Sequence, residues 1–145
     1  MRELSELDDC IKKGLIRKMP ASKDSAQKSI SKAKMWLQDA EGALHAEIYD
    51  LCLLAAYESM FHAARALLIK DGYRERSHYC VARYVDEIYV KKKLLGHGII
   101  NTIDNYRELR HDAAYSLEFE FYEDDAVSAI RDAKTVLKAI EKLIG

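Results

Sequence analysis

Between Leu51 and Ile69 the chain is apolar on nearly every side of a helix, and a segment of that kind has to be buried wherever it folds. Its length raises the question of a membrane span. Glu58, His62 and Arg65 interrupt it and no flanking pattern supports insertion, so it reads as the central helix of a soluble bundle with no membrane partner. The rest of the chain has matching character. One proline and six glycines leave few backbone breakers, and Ala, Leu, Lys, Glu and Arg recur throughout, which favours long helices and argues against an all-β fold.

At 145 residues the chain fits one compact unit and is short for two. Hydrophobic residues at 49% and charged ones at 32% supply both a core and a solvated shell, against disorder. Lys and Arg (23) nearly balance Asp and Glu (24), so no global field drives the chain onto nucleic acid or anionic lipid, and any such contact must be local. Cys10, Cys52 and Cys80 are odd in number and widely spaced, with no C-x-x-C pair and no secretory leader, which fits a reducing, cytoplasmic compartment.

The chain divides into an N-terminal arm, residues 1–20, ending at Pro20, and a helical domain, residues 21–145. The first domain helix spans about 25–44, where Ile30, Ala33, Leu37, Ala40 and Leu44 recur at steps of three and four. The apolar helix follows over about 47–70, and Asp71-Gly72 supplies a left-handed stop. Ser77 caps a short third helix over about 78–92. Ile99, Ile103, Tyr106, Ala113 and Leu117 mark the fourth, and Ala126, Ile130, Ala133, Leu137, Ile140 and Ile144 mark the fifth, with Glu123, Asp124 and Asp125 at its positive pole. The fold class is therefore all-α, an up-and-down bundle of four main helices plus a short fifth.

Charge is unevenly spread. Lys12, Lys13, Arg17, Lys18, Lys23, Lys28, Lys32 and Lys34 face only Asp24 over their stretch, while Glu118, Glu120, Glu123, Asp124 and Asp125 crowd a later one. Solvated surfaces explain both runs, and the basic one also suits a nucleic-acid path.

The residues that break the apolar pattern are more specific. Arg110 projects near the middle of the fourth helix's apolar arc, Arg107 lies on its flank, and His111 is one turn beyond Arg107. A permanently charged guanidinium directed toward a core needs carboxylates or an anionic ligand for its donors. On the central helix Glu58, His62 and Arg65 share an arc of about 60°. If the two arcs face each other, Glu58 pairs with Arg110 while His62, Arg65, Arg107 and His111 surround a concave basic site suited to phosphate. The same spacing also suits a buried ion-pair network that fixes helix register without chemistry. His78 and Cys80 are close, but no spacing among the cysteines and the five histidines matches a zinc ligand frame.

Two blocks carry a family resemblance. The run from Ala56 to Leu68 (AYESMFHAARALL), followed by Gly72-Tyr73 and Ser77-His78, closely resembles the HEPN helical-bundle proteins of prokaryotes. The run from Tyr106 to Tyr115 (YRELRHDAAY) is similar to the HEPN signature helix, and the resemblance spans about 25–144. HEPN ribonucleases carry an Arg followed after four to six residues by a His. Here Arg110 is followed at that distance by Tyr115, and Arg107 precedes His111 with three residues between.

The resemblance implies RNA cleavage without metal or cofactor, with the ribose 2′-hydroxyl as nucleophile. It implies a homodimer in which two signature helices form a composite cleft. His111 becomes the proton carrier, Arg107 and Arg110 phosphate clamps, Glu58 an orienting carboxylate and Tyr115 a wall or stacking surface. It also implies a second arrangement, a non-catalytic module that binds RNA or a nucleotide as partner of a cognate nucleotidyltransferase in a toxin–antitoxin pair.

Overall fold

A computed structural model describes residues 5–118 and 120–145. Its element order is α1 (Glu6–Lys12), β1 (Ile16–Lys18), α2 (Lys23–His45), α3 (Tyr49–Asp71), β2 (Tyr73–Glu75), α4 (His78–Val85), a π-helical segment (Asp86–Val90), α5 (His97–Tyr115) and α6 (Glu123–Ile144). The fold is all-α, with four long helices, a short α4 and one minor ribbon. α1 is a helix beyond the five expected from sequence, and the π-helical turn cuts the third expected helix short at Val85.

α3 is the hub: α2, α4, α5 and α6 all pack on it. Its small residues allow that crowding, since Ala55, Ala56, Ala63, Ala64 and Ala66 are each almost wholly buried. α2 is held close by two hydroxyls: Ser29 Oγ donates to the His62 carbonyl at 2.7 Å and Ser59 Oγ donates to the Ala33 carbonyl at 2.8 Å. α3 is the one described helix long and apolar enough to cross a membrane, and 78% of its most apolar window is buried inside the bundle.

α3 stops at Gly72, whose φ of 91° is the left-handed cap expected there, and Met19 N–H donates to the Gly72 carbonyl at 3.0 Å. The chain then runs antiparallel to β1, with Ile16 opposite Glu75 and Arg17 opposite Arg74. The Ser77 hydroxyl accepts from Cys80 N–H and starts α4. Asp71 fastens this corner, because Oδ2 accepts both the Tyr84 and the Tyr89 hydroxyls at 2.8 and 2.7 Å.

Two sequence expectations need correction. Cys10 and Cys80 are joined by a disulfide, with Cα atoms 5.9 Å apart, and only Cys52 is a free thiol. Sequence spacing gave no hint of the pair because it does not reveal that α1 docks on α4. The apolar face assigned to the fourth helix is also shorter than expected. α5 buries Ile99, Ile100, Ile103 and Tyr106, but it ends at Tyr115, Ala113 is only half-buried, and Leu117 lies beyond the helix in solvent. Periodicity says which residues share a face, not where the neighbouring helices end.

Candidate functional site

The last turns of α5 run alongside the start of α4, and between them opens a cavity of about 540 Å³. Its wall is His78 from α4 and Arg107, Glu108, Arg110, His111 and Asp112 from α5. Arg107 and His111 stand one helical turn apart, and Arg110 lies on the side nearer α3.

Each arginine is held by carboxylate. Arg110 Nη2 lies 3.8 Å from Glu58 Oε1, with the guanidinium side chain 36% exposed. That distance leaves donors of Arg110 uncommitted. Arg107 Nη1 donates to Asp104 Oδ1 at 2.6 Å, and Asp104 also takes Arg83. The Tyr79 ring lies under both guanidinium groups, 5.0 Å from Arg83 and 5.4 Å from Arg107. This network fixes Arg107 from behind and leaves it in the cavity wall.

Glu58 sits between two partners, Arg110 and, at 3.8 Å, His62 Nε2. Burial raises its pKa above the usual carboxylate value, against the opposing pull of Arg110 and Arg65. His62 is held neutral by burial, with Arg65 and Lys32 adding to the effect, and its pKa falls to about 4.

His62 and Arg65 do not reach the cavity wall. Arg65 instead forms an ion pair with the buried Glu75 of β2, with Nε at 2.7 Å and Nη2 at 2.5 Å from Oε1, and lies over the Phe61 ring at 4.7 Å. Tyr115 does not line the cavity either. Its ring leans toward His111 with centroids 5.0 Å apart, and 70% of the residue is exposed. The structure therefore brings Arg107, Arg110 and His111 together, sets Glu58 behind them, and leaves Tyr115 at the margin.

His78, which the sequence marks only as part of the Ser77-His78 pair and as a poor zinc ligand, joins this group. Its ring stacks on Phe61 at 3.8 Å and 7° between planes, and its Nδ1 lies 3.0 Å from the Tyr57 hydroxyl. Burial lowers its pKa, and Arg110 and Arg65 lower it further, so the ring is neutral near pH 7. Burial pushes the Tyr57 phenol upward, which keeps it a neutral hydrogen-bonding hydroxyl. The available signal was Ser77: a capping serine fixes the next residue at the first turn of a helix, here facing α5.

The arrangement has two guanidinium groups to hold an anion and two imidazoles to carry protons, around a cavity open to solvent. Glu108 and Asp112 add negative charge to the rim, which orients an anionic ligand toward the arginines. Among the described residues no cluster of His, Cys, Asp and Glu has the makings of a metal site.

Comparison with known proteins adds to this geometry. The model of the HEPN domain matches residues 26–143. A UPF0332 protein of Archaeoglobus fulgidus is 25% identical over 122 residues, covering 83% of this chain and 96% of that protein. A protein of Methanocaldococcus jannaschii, named "Putative toxin", is 24% identical over 122 residues, covering 84% of this chain and 83% of its own.

Proposed function

The chain belongs to the HEPN domain family, and from that premise we propose that it is a metal-independent RNA-cleaving toxin acting as a homodimer in the cytoplasm. The observation that carries the reading is the convergence of Arg107, Arg110 and His111 on one solvent-open cavity. Guanidinium groups fixed in place suit the doubly charged phosphorane that forms when the 2′-hydroxyl attacks phosphorus, and an imidazole beside them suits the accompanying proton transfer. The relative named as a toxin supports the same direction.

The dimer is supported by what α5 leaves uncovered. At and just beyond the end of α5, Tyr115 is 70% exposed and Leu117 is fully exposed, apolar surface that a second copy would cover. A second copy packed there sets two cavities near one twofold axis. A cognate nucleotidyltransferase is the partner proposed under the alternative reading, in which the chain is a non-catalytic nucleotide- or RNA-binding module.

The test is incubation of the pure protein with single-stranded and structured RNA in excess chelator. Cleavage is expected, and His111→Ala and Arg110→Ala are each expected to lower it on the order of a hundredfold or more. Cleavage at wild-type rate in both variants overturns the assignment. Nucleotide or RNA binding by calorimetry with no cleavage at all favours the non-catalytic module instead.

A further inference from the structure

We infer that His78 is the proton acceptor of this cavity, working opposite His111 as proton donor, so that a single chain carries both halves of the acid–base pair. The inference rests on the cleavage reading above and assigns a residue that the HEPN resemblance does not. Both imidazoles line the same cavity, and they come from different elements, α4 and α5. They are therefore placed independently of one another around the one cavity.

The His78 ring is fixed as a base needs to be. Phe61 stacks parallel to it at 3.8 Å, and the Tyr57 hydroxyl engages Nδ1 at 3.0 Å. Among the described residues Nε2 has no protein partner. The role requires the tautomer in which Nδ1–H donates to Tyr57 Oη, which leaves the Nε2 lone pair for a ligand. Tyr57 is wholly buried and acts as a positioning residue that holds the ring through Nδ1. Around the ring stand Arg110 and Arg107 of α5, Arg65, His62 and Tyr57 of α3, and Glu75 of β2. Three of these six are cationic, which disfavours an imidazolium before substrate arrives. His111, Glu108 and Asp112 complete the wall from α5.

The step balances within the RNA. His78 Nε2 takes the proton of the 2′-hydroxyl as O2′ bonds to phosphorus. The bond from phosphorus to O5′ breaks, and the leaving O5′ takes a proton from the His111 imidazolium. The products are a 2′,3′-cyclic phosphate and a 5′-hydroxyl, and exchange with water returns both rings to their starting states. Arg107 and Arg110 hold the non-bridging oxygens throughout.

The experiment is a pH–rate profile of the full chain on a labelled RNA oligonucleotide in chelator, for wild type, His78→Asn, His111→Asn and Tyr57→Phe, with RNA affinity and thermal melting recorded for each. His78→Asn is expected to lose on the order of a hundredfold or more in rate at unchanged affinity and to lose the acid limb of the profile. His111→Asn should also lose on the order of a hundredfold or more in rate. Tyr57→Phe keeps both imidazoles, so it should show a smaller loss and a displaced acid limb even if His78→Asn melts early. If His78→Asn and Tyr57→Phe both cleave with the wild-type profile, the role of His78 is overturned while the cleavage reading stands. A wild-type protein that leaves every RNA intact overturns the cleavage reading and this role together.

Discussion

His62 shows how burial of one side chain sets the response of the whole fold to acid. Its side chain is 15% exposed, and burial beside Arg65 and Lys32 lowers its pKa from 6.5 to about 4. The unfolded chain takes up a proton near pH 6.5 and the folded chain does not, so stability present above that pH is lost as pH falls toward 4. At about pH 5 the cost relative to neutral pH is about 2 kcal/mol. Glu58 works in the opposite sense, since its raised pKa lets the folded state bind a proton more readily. Urea unfolding at about pH 7.5 and pH 5 should therefore show His62→Gln losing less stability on acidification than wild type does, by about 2 kcal/mol. Equal losses in the two proteins would refute the burial argument. The same residues show what can be read without coordinates. Glu58 facing Arg110 followed from two polar arcs on apolar helices, and Arg107 beside His111 followed from a four-residue step. His78 did not follow, because helical spacing relates residues within one helix, and its place depends on how α4 meets α5.

The connections between helices carry more constraint than their length suggests. Gly72 ends α3 with φ at 91°, and a Cβ there would stand 2.9 Å from the Met19 carbonyl oxygen. That oxygen is backbone, in the segment between β1 and α2, so it cannot move aside alone. Gly72→Ala is expected to cost about 2–3 kcal/mol, from the left-handed backbone and the contact together. An unchanged denaturation midpoint would count against this account. The stop itself was legible, as were the stripes of α2 and α6 and the unbroken apolar character of α3, because each is written in consecutive residues. α1 and the β1–β2 ribbon were not. α1 buries only Leu7 and Cys10, and strands of three residues are too short for alternation to register. Their pairing joins residues 16–18 to 73–75, a separation over which local patterns say nothing.

At the scale of the whole molecule the arm is bound to the bundle by the ribbon, by the Glu6–Arg83 ion pair and by the Cys10–Cys80 disulfide, which closes a loop with a sequence separation of 70. Both cysteines are buried, at 2% and 1% exposure, and Leu7 and Ile16 join the common core. Loop-closure entropy for such a link is worth up to about 4 kcal/mol. The third cysteine does not compete for the pairing. Cys52 is fully buried in α3, its thiol directed to the Ala126 carbonyl, and burial pushes its pKa up to about 11, so little reactive thiolate forms. A reducing cytoplasm would open the bond and leave the arm held by packing, the ribbon and the Glu6–Arg83 ion pair. The oxidised protein should show no thiol to a reagent before denaturation and one after it, and three after denaturation with reductant. Cys10→Ala with Cys80→Ala should lower the melting temperature by roughly 5–15 °C. Because Cys80 lies two residues after His78, the same double variant also tests how far the arm steadies the cavity wall. If the wall leans on the arm, cleavage by the double variant falls along with its melting temperature, and if α4 is held without the arm, rate stays level while stability drops.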